Sequence, residues 1–73
     1  MKYTMGDLFT WKYDMQEMST LINIWYDWDG QKKYQLQSFL KGDVHQYIRE
    51  TYTEHELDTF LETGILLHFP VSK

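Results

Sequence analysis

Cysteine is absent from this 73-residue chain, and its absence excludes the two usual staples of a small domain. Neither a disulfide framework nor a thiolate zinc site can hold the fold together, so packing must do so, alone or with the help of self-association. Absent cysteines also fit a reducing compartment. Long apolar runs are missing as well: no segment reaches membrane-spanning length. The opening Met1-Lys2-Tyr3-Thr4-Met5-Gly6-Asp7 lacks the hydrophobic stretch of a secretion signal. The expectation is a complete, soluble, cytoplasmic protein of one domain, residues 1–73. Positive charge is scarce, with 7 Lys and Arg against 11 Asp and Glu for a net charge of −4. That balance argues against general binding to a phosphate backbone, which needs clustered cations. The acids are scattered and make no phosphate-like ladder, so the charge mainly favours solubility. There are no repeats, linkers or low-complexity tracts.

Aromatic side chains, in contrast, are abundant: 3 Trp, 6 Tyr and 4 Phe. A domain of this size encloses a modest core. Some of these rings are therefore expected at the surface, where large rings favour contact with another molecule.

The pattern along the chain is mostly β. Met5-Gly6-Asp7 supplies a turn, Leu8-Phe9-Thr10-Trp11 is β-prone, and the polar residues 14–17 read as a loop. From Thr20 to Trp28 the chain is rich in β-branched and aromatic residues, followed by the hairpin signal Asp29-Gly30. One face of this strand carries Ile22, Ile24 and Tyr26, and the other carries Leu21, Asn23, Trp25 and Asp27. A return strand follows, with Tyr34, Leu36 and Leu40 alternating against Gln35, Gln37 and Phe39. Register selects the turn. A three-residue loop, Trp28-Asp29-Gly30, pairs Ile24 with Tyr34 and Ile22 with Leu36, puts Gly30 in the left-handed position and leaves Trp28 at the tip.

Lys41-Gly42-Asp43 forms the next turn. Val44 to Tyr52 reads as a strand with Val44, Ile48 and Tyr52 on the core side; the alternative is a helix capped by Asp43. Thr53-Glu54-His55-Glu56 is a capping box opening a helix whose buried stripe is Leu57, Phe60 and Leu61. Gly64 closes the helix as a left-handed cap. Ile65 to Phe69 is a last strand, placed at an edge because Pro70 lacks an N–H. The order is β-β-β-β-α-β. The fold class expected is α+β, a small, mainly antiparallel, SH3-like partly open β-barrel with one short helix before the last strand.

Two stretches carry a resemblance. Met5-Gly6-Asp7-Leu8-Phe9-Thr10-Trp11 is similar to the opening of small SH3-like barrel proteins, in which a Gly-Asp turn launches the first strand. Tyr52-Thr53-Glu54-His55-Glu56-Leu57 through Gly64-Ile65-Leu66 resembles the closing helix and strand of short phage and mobile-element proteins. Together they cover under half the chain. The resemblance implies a small accessory protein that binds another protein, for instance to block a host enzyme, and assigns no functional residues.

Catalytic chemistry finds no constellation here. His45, His55 and His68 are widely separated and match no metal spacing. Asp27 and Asp29 flank Trp28 but read as solubilising and turn-forming residues. The expectation is a non-enzymatic domain with no cofactor and no metal. The strongest functional candidate is the second face of the central hairpin. With Ile22, Ile24, Leu36, Val44 and Ile48 in the core, Leu21, Trp25, Phe39 and Tyr47 point the other way as an aromatic strip extended by Trp28. Leu21, Trp25, Asp27, Trp28, Asp29, Phe39 and Tyr47 are thus the expected partner-binding residues, the rings entering apolar pockets and the two acids pairing with basic residues at the rim. A second covering element over this strip, or self-association, would use the same residues structurally. The alternative function is single-stranded nucleic-acid binding by Trp28, Tyr34, Lys32 and Lys33, with bases stacked on the rings.

Overall fold

A computed structural model describes residues 3–39 and 45–71, excepting the side chains of residues 14–16. The expected turn at Lys41-Gly42-Asp43 and the expected core positions Leu40 and Val44 lie outside the described residues. Five strands and one helix follow in the order β1 (Leu8–Trp11), β2 (Asp14–Tyr26), β3 (Lys32–Phe39), β4 (Tyr47–Thr53), α1 (Glu54–Thr63) and β5 (Leu66–Phe69). All strand pairs are antiparallel and form one sheet in the order β4-β3-β2-β1-β5. The small α+β architecture with a helix before the last strand is as expected from the sequence.

The sheet curls without closing. The rings of Trp11 on β1 and Tyr52 on β4 have centroids 6.1 Å apart, with Phe60 of α1 5.5 and 5.8 Å from each. In a flat sheet the two strands would lie about 14 Å apart. Strand twist brings the rings together over the concave face, yet β4 and β5 remain unpaired edges.

Each turn has a local cause. The hairpin between β2 and β3 is closed by Asp27 N–H donating to Gln31 C=O at 2.8 Å and Gly30 N–H donating to Asp27 C=O at 2.9 Å. The loop is therefore residues 28–30, and Gly30 has φ +85°, a conformation that costs any L side chain energy. Ile24 faces Tyr34, as the loop length dictates. The capping box is formed in full: Glu56 N–H donates to Thr53 Oγ1 at 3.1 Å, and Thr53 N–H donates to Glu56 Oε1 at 2.8 Å. Gly64 ends α1 at φ 82°. Residues 47–53 are strand, which resolves the helix alternative.

Three expectations need correction. Residues 14–17 are not a loop. The turn is Lys12-Tyr13, and β2 begins at Asp14 opposite Trp11. The pairing with β1 then jumps, because Thr10 faces Met18; the extra residues are taken up as an irregularity inside a long strand. Second, Leu36 pairs with Leu21 rather than Ile22. The register shifts between Leu21 and Asn23, so Ile22 is a bulge residue and strict alternation breaks there. Leu21 and Ile24, three apart, consequently share the concave face, and Leu21 is 1% exposed. Third, the core is not built from Ile22 and Ile48. Ile48 is exposed on the β4 edge and Ile22 is half-buried. The core consists of Tyr3, Phe9, Leu21, Tyr34, Leu36, Leu57 and Leu66, with Trp11, Ile24, Tyr52, Phe60 and Leu61 packed against it. Leu57 is completely enclosed, a burial worth about 1.5–3 kcal/mol.

Candidate functional site: the open face of the sheet

Helix α1 and the Tyr3 segment cover the concave face, and no described element covers the convex one. Alternation along each strand and the pairing between strands fix what this open face carries. Tyr47 on β4 lies opposite Phe39 on β3. The Ser19–Ser38 pair sets Met18 of β2 beside Phe39. Met18 faces Thr10 of β1, and Thr10 faces Leu67 of β5. One row thus crosses all five strands, a width of about 19 Å at the spacing of paired strands. The adjacent row runs Arg49, Gln37, Thr20, Leu8, Phe69 by the same pairings. Tyr47, Phe39, Met18, Leu8 and Phe69 are between 37% and 50% exposed. An antiparallel sheet face left to water is normally polar; this one carries large apolar side chains in register.

Of the polar members, Thr10, Arg49 and Gln37 are already engaged. Thr10, though on this face, is buried and donates its hydroxyl to Glu17 C=O at 3.0 Å. Arg49 donates Nε–H to Gln37 Oε1 at 2.7 Å, and its guanidinium lies 4.8 Å from the Tyr47 ring centroid. This places one cation at the β4 end of the patch.

The expected partner-binding residues do not form one strip. Phe39 and Tyr47 are adjacent on the open face, as expected. Leu21 is removed from it by the bulge and belongs to the core. Trp25 shares the face but pairs with Lys33 near the opposite end of β2. The polar residues Asn23, Gln35 and Thr51 stand between Trp25 and the Phe39 row. Trp28 is 98% exposed at the hairpin tip. Asp27 faces inward to its own hairpin: it accepts from Trp25 Nε1–H at 2.9 Å and from the Lys33 ammonium at 2.8 Å. The Lys33 ammonium and then the Trp25 N–H hold its carboxyl below the usual carboxylate range, and the Asp27 carboxylate in turn raises Lys33. Asp29 accepts from Gln31 N–H at 2.9 Å, an Asx turn within the loop. Met18, Leu8, Leu67 and Phe69 are the face residues that the sequence reading missed. For Leu8, Leu67 and Phe69 the signal was present in β1 and β5, where both alternating sets are largely apolar.

The residues of the nucleic-acid alternative separate too. Tyr34 is a core residue whose hydroxyl donates to Glu54 at 3.1 Å, so no base can stack on it. Burial, then this carboxylate, pushes its ionisation upward. Lys33 is held by Asp27. Lys32 remains near the tip, its ammonium 5.8 and 5.6 Å from the Tyr26 and Tyr34 ring centroids.

Among the described residues no group of three or more His, Asp or Glu converges on a cation-sized site, and no helix is long and apolar enough to cross a membrane. A shallow cleft of about 190 Å³ lies between the hairpin base and the start of α1, lined by Gln31, Lys32, Thr53, Glu54 and His55. No protein family matches the chain, and no curated protein or solved structure is significantly similar to it.

Proposed function

We propose that this chain is a protein-binding module and that the open sheet face is its docking surface. The observation that carries this reading is the apolar row, continuous in register across all five strands and left without a cover. Apolar patches of this kind on small domains mark contact sites, and aromatic members such as Phe39 and Tyr47 are the residue types that anchor them. The flanking row of Arg49, Gln37 and Thr20 supplies a polar rim. Trp28 at the tip is an exposed ring outside this surface. In this reading the domain is non-enzymatic and cytoplasmic, and the curled sheet is an SH3-like partly open barrel. It acts by steric occlusion. A phage-type inhibitor that covers a host protein, which the sequence resemblance implies, is one case of this action.

The test is affinity capture with three forms of the chain: unaltered, Phe39→Ser with Tyr47→Ser, and Trp28→Ala. The expected result is one protein retained in the presence of nuclease by the unaltered chain and by Trp28→Ala, and lost by the double variant. Loss with Trp28→Ala alone would move the site to the hairpin tip. Capture of nothing by any form would sink the proposal.

Single-stranded nucleic acid remains a second reading because of one feature. Trp28 is fully exposed beside Tyr26 and Lys32, which are a ring platform and a cation at one tip. If it holds, a labelled oligonucleotide binds with a steep salt dependence that Lys32→Glu weakens. No binding at low salt ends it.

A further inference from the structure

β4 is a seven-residue edge strand whose only strand partner among the described residues is β3. Its outward row of backbone N–H and C=O groups is free of any ladder, and residues 45–51 are all exposed. The opposite edge is not equivalent: β5 has four residues and is followed at once by Pro70. We propose that β4 pairs antiparallel with β4 of a second copy of this chain, about a two-fold axis at Ile48, to form a dimer with a continuous ten-stranded sheet.

The register follows from side-chain chemistry. A two-fold perpendicular to the sheet keeps each residue on its own face, so the residue on the axis meets its own copy and the others pair symmetrically. An axis at Glu50 sets two carboxylates against each other. An axis at Arg49 does the same with two guanidinium groups. An axis at Thr51 runs off the end of the strand, with Ile48 meeting no strand residue because Glu54 already belongs to α1. An axis at Ile48 has none of these conflicts. Ile48, exposed in the single chain, meets Ile48 of the second copy. Gln46 lies opposite Glu50, an amide donor facing a carboxylate. Tyr47 lies opposite Arg49 twice over, once on each side of the axis. These two residue types already form a cation–π pair within one chain, and the dimer would extend that stack across the interface. Like charges opposite each other destabilise a strand pair, whereas aromatic, apolar and complementary pairs each stabilise it. The edge charges thus oppose the registers centred on Arg49 and Glu50, and the axis at Ile48 is the one that sets Tyr47 opposite Arg49 on both sides. A chain of 73 residues without cysteine gains from association what its small core does not supply. Both open faces would lie on the same side of the ten-stranded sheet, with Tyr47 and Arg49 belonging both to the docking face and to the seam.

The cysteine-free background makes the register directly testable. Directly opposed residues have Cβ atoms about 4.5–5.5 Å apart, near the range a disulfide spans. Ile48→Cys should therefore link to itself under mild oxidation. Thr51→Cys should not, because its two copies would lie about 20 Å apart along the strands. Sedimentation equilibrium of the unaltered chain should show the mass doubling with concentration and then stopping, and Ile48→Lys should abolish the doubling while the far-UV spectrum stays folded. A monomer at every concentration overturns the proposal. So does Thr51→Cys linking as readily as Ile48→Cys, or growth beyond the dimer. The sedimentation result on the unaltered chain decides the matter even if a variant fails to fold.

Discussion

Asp7 ties two distant segments together through one buried carboxylate. It is 2% exposed, and its carboxylate meets three partners: Thr4 N–H and Val71 N–H donate to it, each at 2.9 Å, and His68 Nε2 lies at 2.8 Å. His68 is itself fixed, stacked on Phe9 with centroids 4.7 Å apart. Burial pushes the Asp7 carboxyl upward, but the amides of Val71 and Thr4 and the His68 ring outweigh it, so the group lies below its ordinary value. Its contribution to stability is therefore present above the unfolded value of about 3.9 and lost as pH falls through the lower folded value. Asp7→Asn, which offers an N–H₂ to one of these donors, is expected to cost about 1–3 kcal/mol. Urea denaturation near neutral pH checks this, and the variant should lose less than the parent on acidification below about pH 4. Tyrosine supplies the opposite sign. Tyr3, Tyr34 and Tyr52 are each raised, first by burial and then by hydrogen bonds to Asp58, Glu54 and Glu50. Stability from the neutral phenols is complete below the unfolded value of about 10 and lost as pH rises through the folded values. An absorbance titration should show these three ionising only as the domain unfolds in alkali. A single early transition for all the tyrosines would contradict the packing around them.

At the scale of elements, α1 depends on its first turn. It has 10 residues, too few to be stable alone, and it covers the core through Leu57. Removing the cap by Thr53→Ala is expected to cost about 1 kcal/mol, read as a lower denaturation midpoint for the whole domain with an unchanged slope. This helix, its glycine stop and the three-residue hairpin loop were legible in the sequence because each is set by a few adjacent residues: Thr53 with Glu56, Gly64, and Asp27 to Gln31. The faces of β2 were not. In the run Thr20-Leu21-Ile22-Asn23-Ile24-Trp25 both alternating sets contain apolar residues, so periodicity alone cannot choose between them. The bulge at Ile22 then lets Leu21 and Ile24 face inward together, a solution no strict period-two reading contains. The same limit hid half of the candidate site. Phe39 and Tyr47 were recognisable on one hairpin face. Their continuation through Met18 and Leu67 depends on β1 lying between β2 and β5, a long-range pairing that no local pattern encodes.

At the scale of the whole molecule, the described residues form a curled sheet with two edges and one open face, and its stability should be distributed accordingly. β2 and β3 are interior strands with partners on both sides, as is β1, whereas β4 and β5 each have one. Amide exchange in the native state reports local opening, and it is slowest where opening must break the most structure. The expected order is therefore slow exchange at Leu21, Tyr34 and Leu36, whose side chains fill the core, and faster exchange along β4. Within β4 the amides alternate: those directed at β3 are in the ladder, and those directed outward are not. At low concentration this should appear as alternating protection from Tyr47 to Thr53. Pairing of β4 with a second copy would place the outward amides in a ladder of their own. Their exchange should then slow as concentration rises, while the amides of β5 keep their rates. A concentration-independent pattern would leave the β4 edge unpaired in solution. Slowing at Leu8, Leu67 and Phe69 instead would show the open face, rather than the edge, to be where two copies meet.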